Sequence, residues 1–194
     1  NVDGEMSWTV AQYSGNHYAY ANGYSAGSAH ANEDWCISPA FDLDSYSNEV
    51  LTFRTAMKFT GDTIGVYFSN NYDGEDPNAP GTIWTPLTGY ALSQGNYEWV
   101  ESGPVSLAAL SGTNCYIAFK YTSTDTEAAA WEVDDIMLIG ETTTSTPVVN
   151  VTPLTLSGFT YMEGEGPSDE QSFVISGTNL TEPIIVDLPP KPRS

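Results

Sequence analysis

Two adjacent carboxylates, Asp134 and Asp135, sit in the middle of the apolar run Glu132-Val133-Asp134-Asp135-Ile136-Met137-Leu138-Ile139. In an extended chain neighbouring side chains point to opposite faces, so Asp135 is expected to share a face with Trp131, Val133 and Met137, and Asp134 with Glu132, Ile136 and Leu138. A carboxylate left unpaired in a packed sheet carries a heavy desolvation penalty. Cations that could offset it are scarce: 25 Asp and Glu stand against 5 Lys and Arg, a net charge of −20. Residues 1–141 contain 19 of those acids, and the cations of that stretch are Arg54, Lys58 and Lys120. Calcium takes oxygen ligands and would neutralise such a site directly. At least one of Asp134 and Asp135 is therefore expected to be a calcium ligand. The alternative stays open that both lie at an exposed strand end or accept hydrogen bonds from backbone amides and hydroxyls.

Other chemistries find less support. The histidines are His17 and His30, both in Tyr-, Gly- and Ser-rich segments, and neither a Gly-x-Ser-x-Gly elbow nor a His-Glu-x-x-His motif is present. No catalytic residue is assigned. Paired carboxylates could in principle hydrolyse glycosides, but a chain this acidic brings some acids together by chance. The acidic loop Asn70–Asn78 departs from the EF-hand pattern and reads as a solvated turn. Nucleic acid is excluded as a partner, because phosphate binding needs a basic footprint. Among the aromatics, Trp84, Trp99 and Tyr72 are the candidate ligand-binding residues, able to stack on sugar rings or anchor a protein partner. The competing expectation is that alternating aromatics are core or half-buried strand residues.

The elements that must position these residues are strands. Leu51, Phe53, Thr55, Met57 and Phe59 alternate with Thr52, Arg54, Ala56 and Lys58, a period of two. Residues 64–68 and 97–100 are further strand candidates, Cys115, Ile117, Phe119 and Tyr121 line one face of another, and residues 132–140 close the set. No long stretch carries a helical period, and Val105–Leu110 could form one short turn. Many short strands between Gly, Pro, Asn and Asp turns predict an all-β sandwich. Composition shifts at Glu141-Thr142-Thr143-Thr144-Ser145-Thr146-Pro147, which reads as a linker. The expected organisation is a first domain over 1–141, a linker over 142–147 and a partial β domain over 148–194. Strands are expected at 148–156, 171–175 and 183–186 in the last of these. Cys36 and Cys115 read as small buried hydrophobes, with a disulfide between them left open. The chain has no run long enough to span a membrane, and its start at Asn1 suggests a piece cut from a longer protein.

Four stretches, taken in order, resemble a known family. They are Asp34-Trp35-Cys36-Ile37-Ser38-Pro39-Ala40-Phe41-Asp42-Leu43; Tyr67-Phe68-Ser69-Asn70-Asn71-Tyr72-Asp73-Gly74 with Thr82-Ile83-Trp84-Thr85-Pro86-Leu87; Cys115-Tyr116-Ile117-Ala118-Phe119-Lys120-Tyr121; and Trp131-Glu132-Val133-Asp134-Asp135-Ile136. Their order and spacing over residues 7–140 resemble the choice-of-anchor J and cleaved-adhesin family, related to the MAM domain and to gingipain adhesin modules. Cys36 departs from the Leu or Met usual in that family. The resemblance implies a jelly-roll β-sandwich, a secreted or cell-surface bacterial setting, structural calcium and no catalysis. It implies that Asp134 and Asp135 approach Asp3 or Glu5, with Glu33 or Asp34 from the following loop. The tail stretches Leu156-Ser157-Gly158-Phe159 and Gln171–Gly177 resemble the start of an immunoglobulin-like module.

The leading expectation is thus a calcium-stabilised adhesion or binding module for an extracellular glycan or a host or matrix protein, without membrane insertion. A dimer through the truncated C-terminal unit is part of it. The alternatives are an accessory fragment of an extracellular hydrolase and an intrinsic carboxylate-based hydrolase.

Overall fold

The computed structural model describes residues 3, 4, 6–143 and 146–187. The chain separates into two compact units, Asn1–Thr143 and Thr144–Ser194. Twelve strands make up the first: β1 (Thr9–Tyr13), β2 (Asn16–Asn22), β3 (Tyr24–Ser25), β4 (Ser28–Ala29), β5 (Asn32–Ile37), β6 (Tyr46–Lys58), β7 (Gly65–Ser69), β8 (Thr85–Pro86), β9 (Val100–Glu101), β10 (Val105–Ser106), β11 (Tyr116–Ser123) and β12 (Ala130–Thr142). One sheet runs β1-β2-β12-β6-β10, with β9 also on β6; the other runs β5-β11-β7-β8, and all the pairings are antiparallel. The protein is all-β, and this unit is a jelly-roll sandwich.

The period-two reading of β6 is what closes the sandwich. Leu51, Phe53 and Thr55 point inward and are buried, and Met57 packs against the same core. From the facing sheet Cys115, Ile117, Phe119 and Tyr121 do the same, as their alternation predicted. The Phe53 ring meets Phe119 edge-on at 5.1 Å and 84°, and Tyr90 at 5.6 Å, geometries that favour the ring quadrupoles. Trp131 of β12 completes this core, its indole Nε1–H donating to the Asp62 carbonyl at 2.9 Å. The thiols of Cys36 and Cys115 are both free.

Sequence alternation missed β1 and β2, which hairpin through Ser14 (φ 50°) and Gly15 (φ 86°). Two successive positive φ angles give the primed turn whose twist suits a two-residue connection. In β2, Tyr18, Tyr20 and Asn22 fall on one face and Ala19 and Ala21 on the other, and the small residues let the hairpin lie close on the core. Residues 97–100 supply a strand only at their end, in β9; Tyr97 belongs to the preceding loop.

The second unit contains β13 (Val148–Thr152) paired with β16 (Val174–Thr178), and β14 (Tyr161–Met162) paired with β15 (Gly166–Pro167). The strand expected at 183–186 is not formed. No helix among the described residues is long and apolar enough to cross a membrane.

Because Phe53 lies at the contact of both sheets, Phe53→Ala removes a ring that nothing else can replace. It should cost about 3–5 kcal/mol of unfolding free energy in urea titration. A loss of well under half that would show that the sheets collapse onto the vacancy.

Candidate functional site

Asp134 and Asp135 do not alternate as expected. Asp134 pairs with Arg54 of β6 in register, but the next pair is Met137 with Thr52, so β12 carries one extra residue there. Asp135 takes φ 49° at this bulge, a left-handed conformation that Asp tolerates better than most residues. The bulge brings both carboxylates to one guanidinium: Arg54 Nη2 meets Asp134 Oδ2 at 2.8 Å, and Nε meets Asp135 Oδ2 at 3.0 Å, the latter as an ion pair without good hydrogen-bond geometry. Asn16 Nδ2 donates to the same Asp134 oxygen at 2.8 Å, and the Asp135 amide donates to Asp134 Oδ1 at 2.8 Å. Partial burial raises the Asp134 pKa, but Arg54, Asn16 and that amide outweigh it and hold the carboxyl below its ordinary value.

Arg54 also marks the floor of a cleft of about 940 Å³ on the outer face of the larger sheet. Tyr18 and Tyr20 of β2, Glu132 of β12 and Arg54 of β6 come from adjacent strands, which fixes their spacing. Tyr97 and Trp99 overhang them from the loop ahead of β9. That loop is laced to β6 through one serine. The Ser93 amide donates to Thr55 Oγ1 at 3.0 Å, and Ser93 Oγ donates to the Glu98 carbonyl at 2.7 Å and accepts from the Met57 amide at 3.2 Å. The Tyr97 amide donates to the Met57 carbonyl at 2.8 Å. Trp99 lies with its ring 4.7 Å from the Arg54 guanidinium and 5.7 Å from Tyr18, edge to face.

Glu132 is the buried acid of the cleft, 8% exposed. Burial pushes its pKa up, and a hydrogen bond from Tyr18 opposes this only in part. Tyr18 is raised too, by burial first and then by the Glu132 charge. One raised and one lowered carboxyl on the same strand face is a pattern used by acid–base catalysts. Here both Asp134 oxygens already accept hydrogen bonds, Oδ2 from Arg54 and Asn16 and Oδ1 from the Asp135 amide.

The other expected site residues lie elsewhere. Trp84 and Tyr72 sit together with the smaller sheet. Trp84 packs on Trp35 at 5.0 Å and on Tyr72 at 5.3 Å and donates to the Pro77 carbonyl at 2.9 Å. Tyr72 is 7% exposed and donates to the Glu75 carbonyl. Lys120 covers the Trp35 ring at 4.9 Å and pairs with Glu33 at 2.9 Å. These rings stack on one another and fasten the loop over residues 70–84.

Asp3 bridges backbone to backbone with Glu33, ahead of Asp34 on β5, whereas Asp134 and Asp135 lie on the larger sheet with Arg54. Glu5 lies outside the described residues. Among the described residues no group of three or more His, Cys, Asp and Glu side chains assembles as a metal set. One oxygen of each of Asp134 and Asp135 is held by Arg54, the counter-charge that calcium was expected to supply. Asp34 is 1% exposed, the Asn32 side-chain amide contacts its carboxylate, and Asn32 Oδ1 is buried without a hydrogen-bond partner.

The cleft residues Tyr18, Tyr20, Tyr97, Arg54 and Glu132 went unnoticed in the sequence. The signal was present for two of them, in the alternation His17-Tyr18-Ala19-Tyr20-Ala21-Asn22.

No family model matches the sequence, and no curated protein matches it. Solved structures are similar at low identity. A family 30 carbohydrate-binding module of a cellulosomal cellulase from Clostridium thermocellum is 18% identical, with TM-score 0.42, over 71% of this chain and 87% of that one. The K3 cleaved adhesin domain of Lys-gingipain from Porphyromonas gingivalis is 16% identical, with TM-score 0.43, over 69% of this chain and 85% of that one. The second is of the kind that the four sequence motifs resemble. At such identities and scores, ligand and role must be argued from this chain's own residues.

The raised Glu132 pKa has a sign that can be checked. A carboxyl whose folded pKa lies above its unfolded value of about 4.5 binds more protons when folded, so stability falls as pH rises through that window. Glu132→Gln removes the charge and keeps an acceptor for Tyr18. It should raise the melting midpoint at pH 7 and lose the gain below pH ~4. An equal effect at both pH values would show that Glu132 carries no burial penalty.

Proposed function

We propose that the cleft binds a neutral glycan and that the first unit is a non-catalytic binding module of a secreted or surface protein. The observation that carries this is the cleft itself. Four aromatic side chains, Tyr18, Tyr20, Tyr97 and Trp99, are held at fixed spacing with Arg54 and Glu132 on a strand platform. Sugar rings offer apolar C–H faces to stack and hydroxyls to bond, and a concave aromatic site with a few polar groups meets both needs. The acidic chain argues against anionic ligands. Trp99 is the central platform, since Arg54 and Tyr18 fix its ring in place before any ligand arrives.

Affinity electrophoresis against soluble β-glucan, xylan, mannan and galactan tests this reading. At least one should retard the wild-type chain, and Trp99→Ala should weaken that binding about tenfold or more while the chain still unfolds cooperatively. Retardation by none of them, or an unchanged Trp99→Ala variant, overturns it.

The same reading includes a structural calcium held by Asn32 Oδ1 and the Asp34 carboxylate. It is supported by the orphaned buried oxygen beside a buried acid. A metal that binds only the folded chain adds about 2.7 kcal/mol at a hundredfold excess over Kd. Melting in millimolar calcium should therefore exceed melting in chelator, Asp34→Asn should abolish the difference, and Asp135→Asn should keep it. Identical wild-type midpoints remove the metal.

A further inference from the structure

The outer face of the larger sheet does not end with the cleft. Tyr20, Glu132 and Ala56 form one row across β2, β12 and β6, and Asn22, Ala130 and Lys58 form the next row on the same face. Beyond that row lies a second hollow of about 620 Å³, lined by Asn22, Tyr24, Phe59, Thr60 and Glu127.

Phe59 is its decisive residue. By the alternation of Phe53, Thr55 and Met57 it should point into the core, yet it is 61% exposed. Its φ of 70° turns it out of the strand, and a bulky residue seldom takes that conformation. Tyr97, at φ 56°, shares the strain and meets Phe59 edge to face at 6.4 Å and 89°. Lys58 Nζ lies 5.4 Å from the Tyr97 ring and 5.8 Å from the Phe59 ring. Tyr97 lines the first cleft and Phe59 the second, so this aromatic pair with its bridging cation joins the two. Tyr24, 53% exposed, supplies a second ring to the far hollow. Strain that holds aromatic side chains in water, beside a site, is the kind of strain that binding exploits.

We propose that Phe59 and Tyr24 form a distal subsite continuous with the Trp99 cleft, so that the protein binds an internal stretch of a neutral polysaccharide chain laid along the strands. The inference rests on the glycan reading above. Arg54 to Lys58 alone spans ~14 Å of strand, room for more than one sugar ring, and Phe59 extends the platform further. The occupant is neutral because Glu132, Glu127 and the Asp134–Asp135 pair outnumber Arg54 and Lys58 along this face. A single sugar or a chain end would leave the distal rings unused.

Isothermal titration of the whole chain with β-1,4-linked glucose, xylose and mannose oligosaccharides of two to six units tests this. In the series that binds, affinity should rise about tenfold or more from two units to six. Phe59→Gly accepts the positive φ without strain and so keeps the backbone. It should collapse that six-to-two ratio towards one, and Tyr24→Ala should reduce it. Trp99→Ala should weaken every length. A Phe59→Gly variant with the wild-type ratio and melting midpoint overturns the distal subsite while leaving the glycan reading intact. If no series and no polysaccharide of the wider panel binds the wild type, the glycan reading fails and the subsite with it.

Discussion

The outer face of the larger sheet depends on Arg54. It is one of five basic residues in the chain, and it stands between two carboxylates at the point where β12 slips one residue against β6. Without the guanidinium the bulge would set two like charges side by side at a strand surface with no counter-charge. With it, the bulge becomes a fixed corner: Asp134 and Asp135 hold one edge of the guanidinium, and its flat face is left for Trp99. Arg suits this position because its planar fork can bind two acids and stack under a ring at once, which the point charge of Lys cannot do.

Much of the frame was legible from sequence because it follows from the period of a strand. The alternation in β6 and in β11 gave the inward faces of both sheets, and the turn residues between short apolar runs gave the all-β class. The site was less legible, for physical reasons particular to each residue. Nothing in Asp134-Asp135 announces a bulge, and the groups that hold Asp134 there, Arg54 and Asn16, are distant in sequence. Counting cations over residues 1–141 led to the expectation that at least one of this pair binds calcium, with exposure or hydrogen bonding left open. The total says nothing of placement, and a single Arg in register met both carboxylates. Tyr97 and Trp99 gain their position from hydrogen bonds of their loop to Thr55 and Met57 of β6, distant in sequence, which no local pattern encodes. Trp84 and Tyr72 have the composition of a binding site, but Trp35, Tyr116 and the Pro77 carbonyl occupy their faces and edges.

The two aromatic groups show how the same residue types serve opposite ends. In the smaller sheet each ring has another ring or a lysine against it, which excludes water and closes a loop. In the larger sheet the rings also meet a neighbour, Trp99 on Tyr18 and Arg54, and Tyr97 on Phe59 and Lys58, but together they line an open cleft over a polar floor. Composition is the same in both; what differs is whether the neighbours leave a face uncovered.

Ser93 divides the labour of the chain in a way that bears on how such a surface can change. Its hydrogen bonds run to the β6 backbone, to Thr55 and to the Glu98 carbonyl, and none of them involves the side chain of Tyr97 or Trp99. The loop would keep its path with other side chains at 97 and 99. The rings at 97 and 99 and the groups that hold their loop are therefore separate sets, joined by main chain. A lineage could exchange the rim ring by ring, drifting from one ligand to another, while the jelly-roll beneath goes on folding as before.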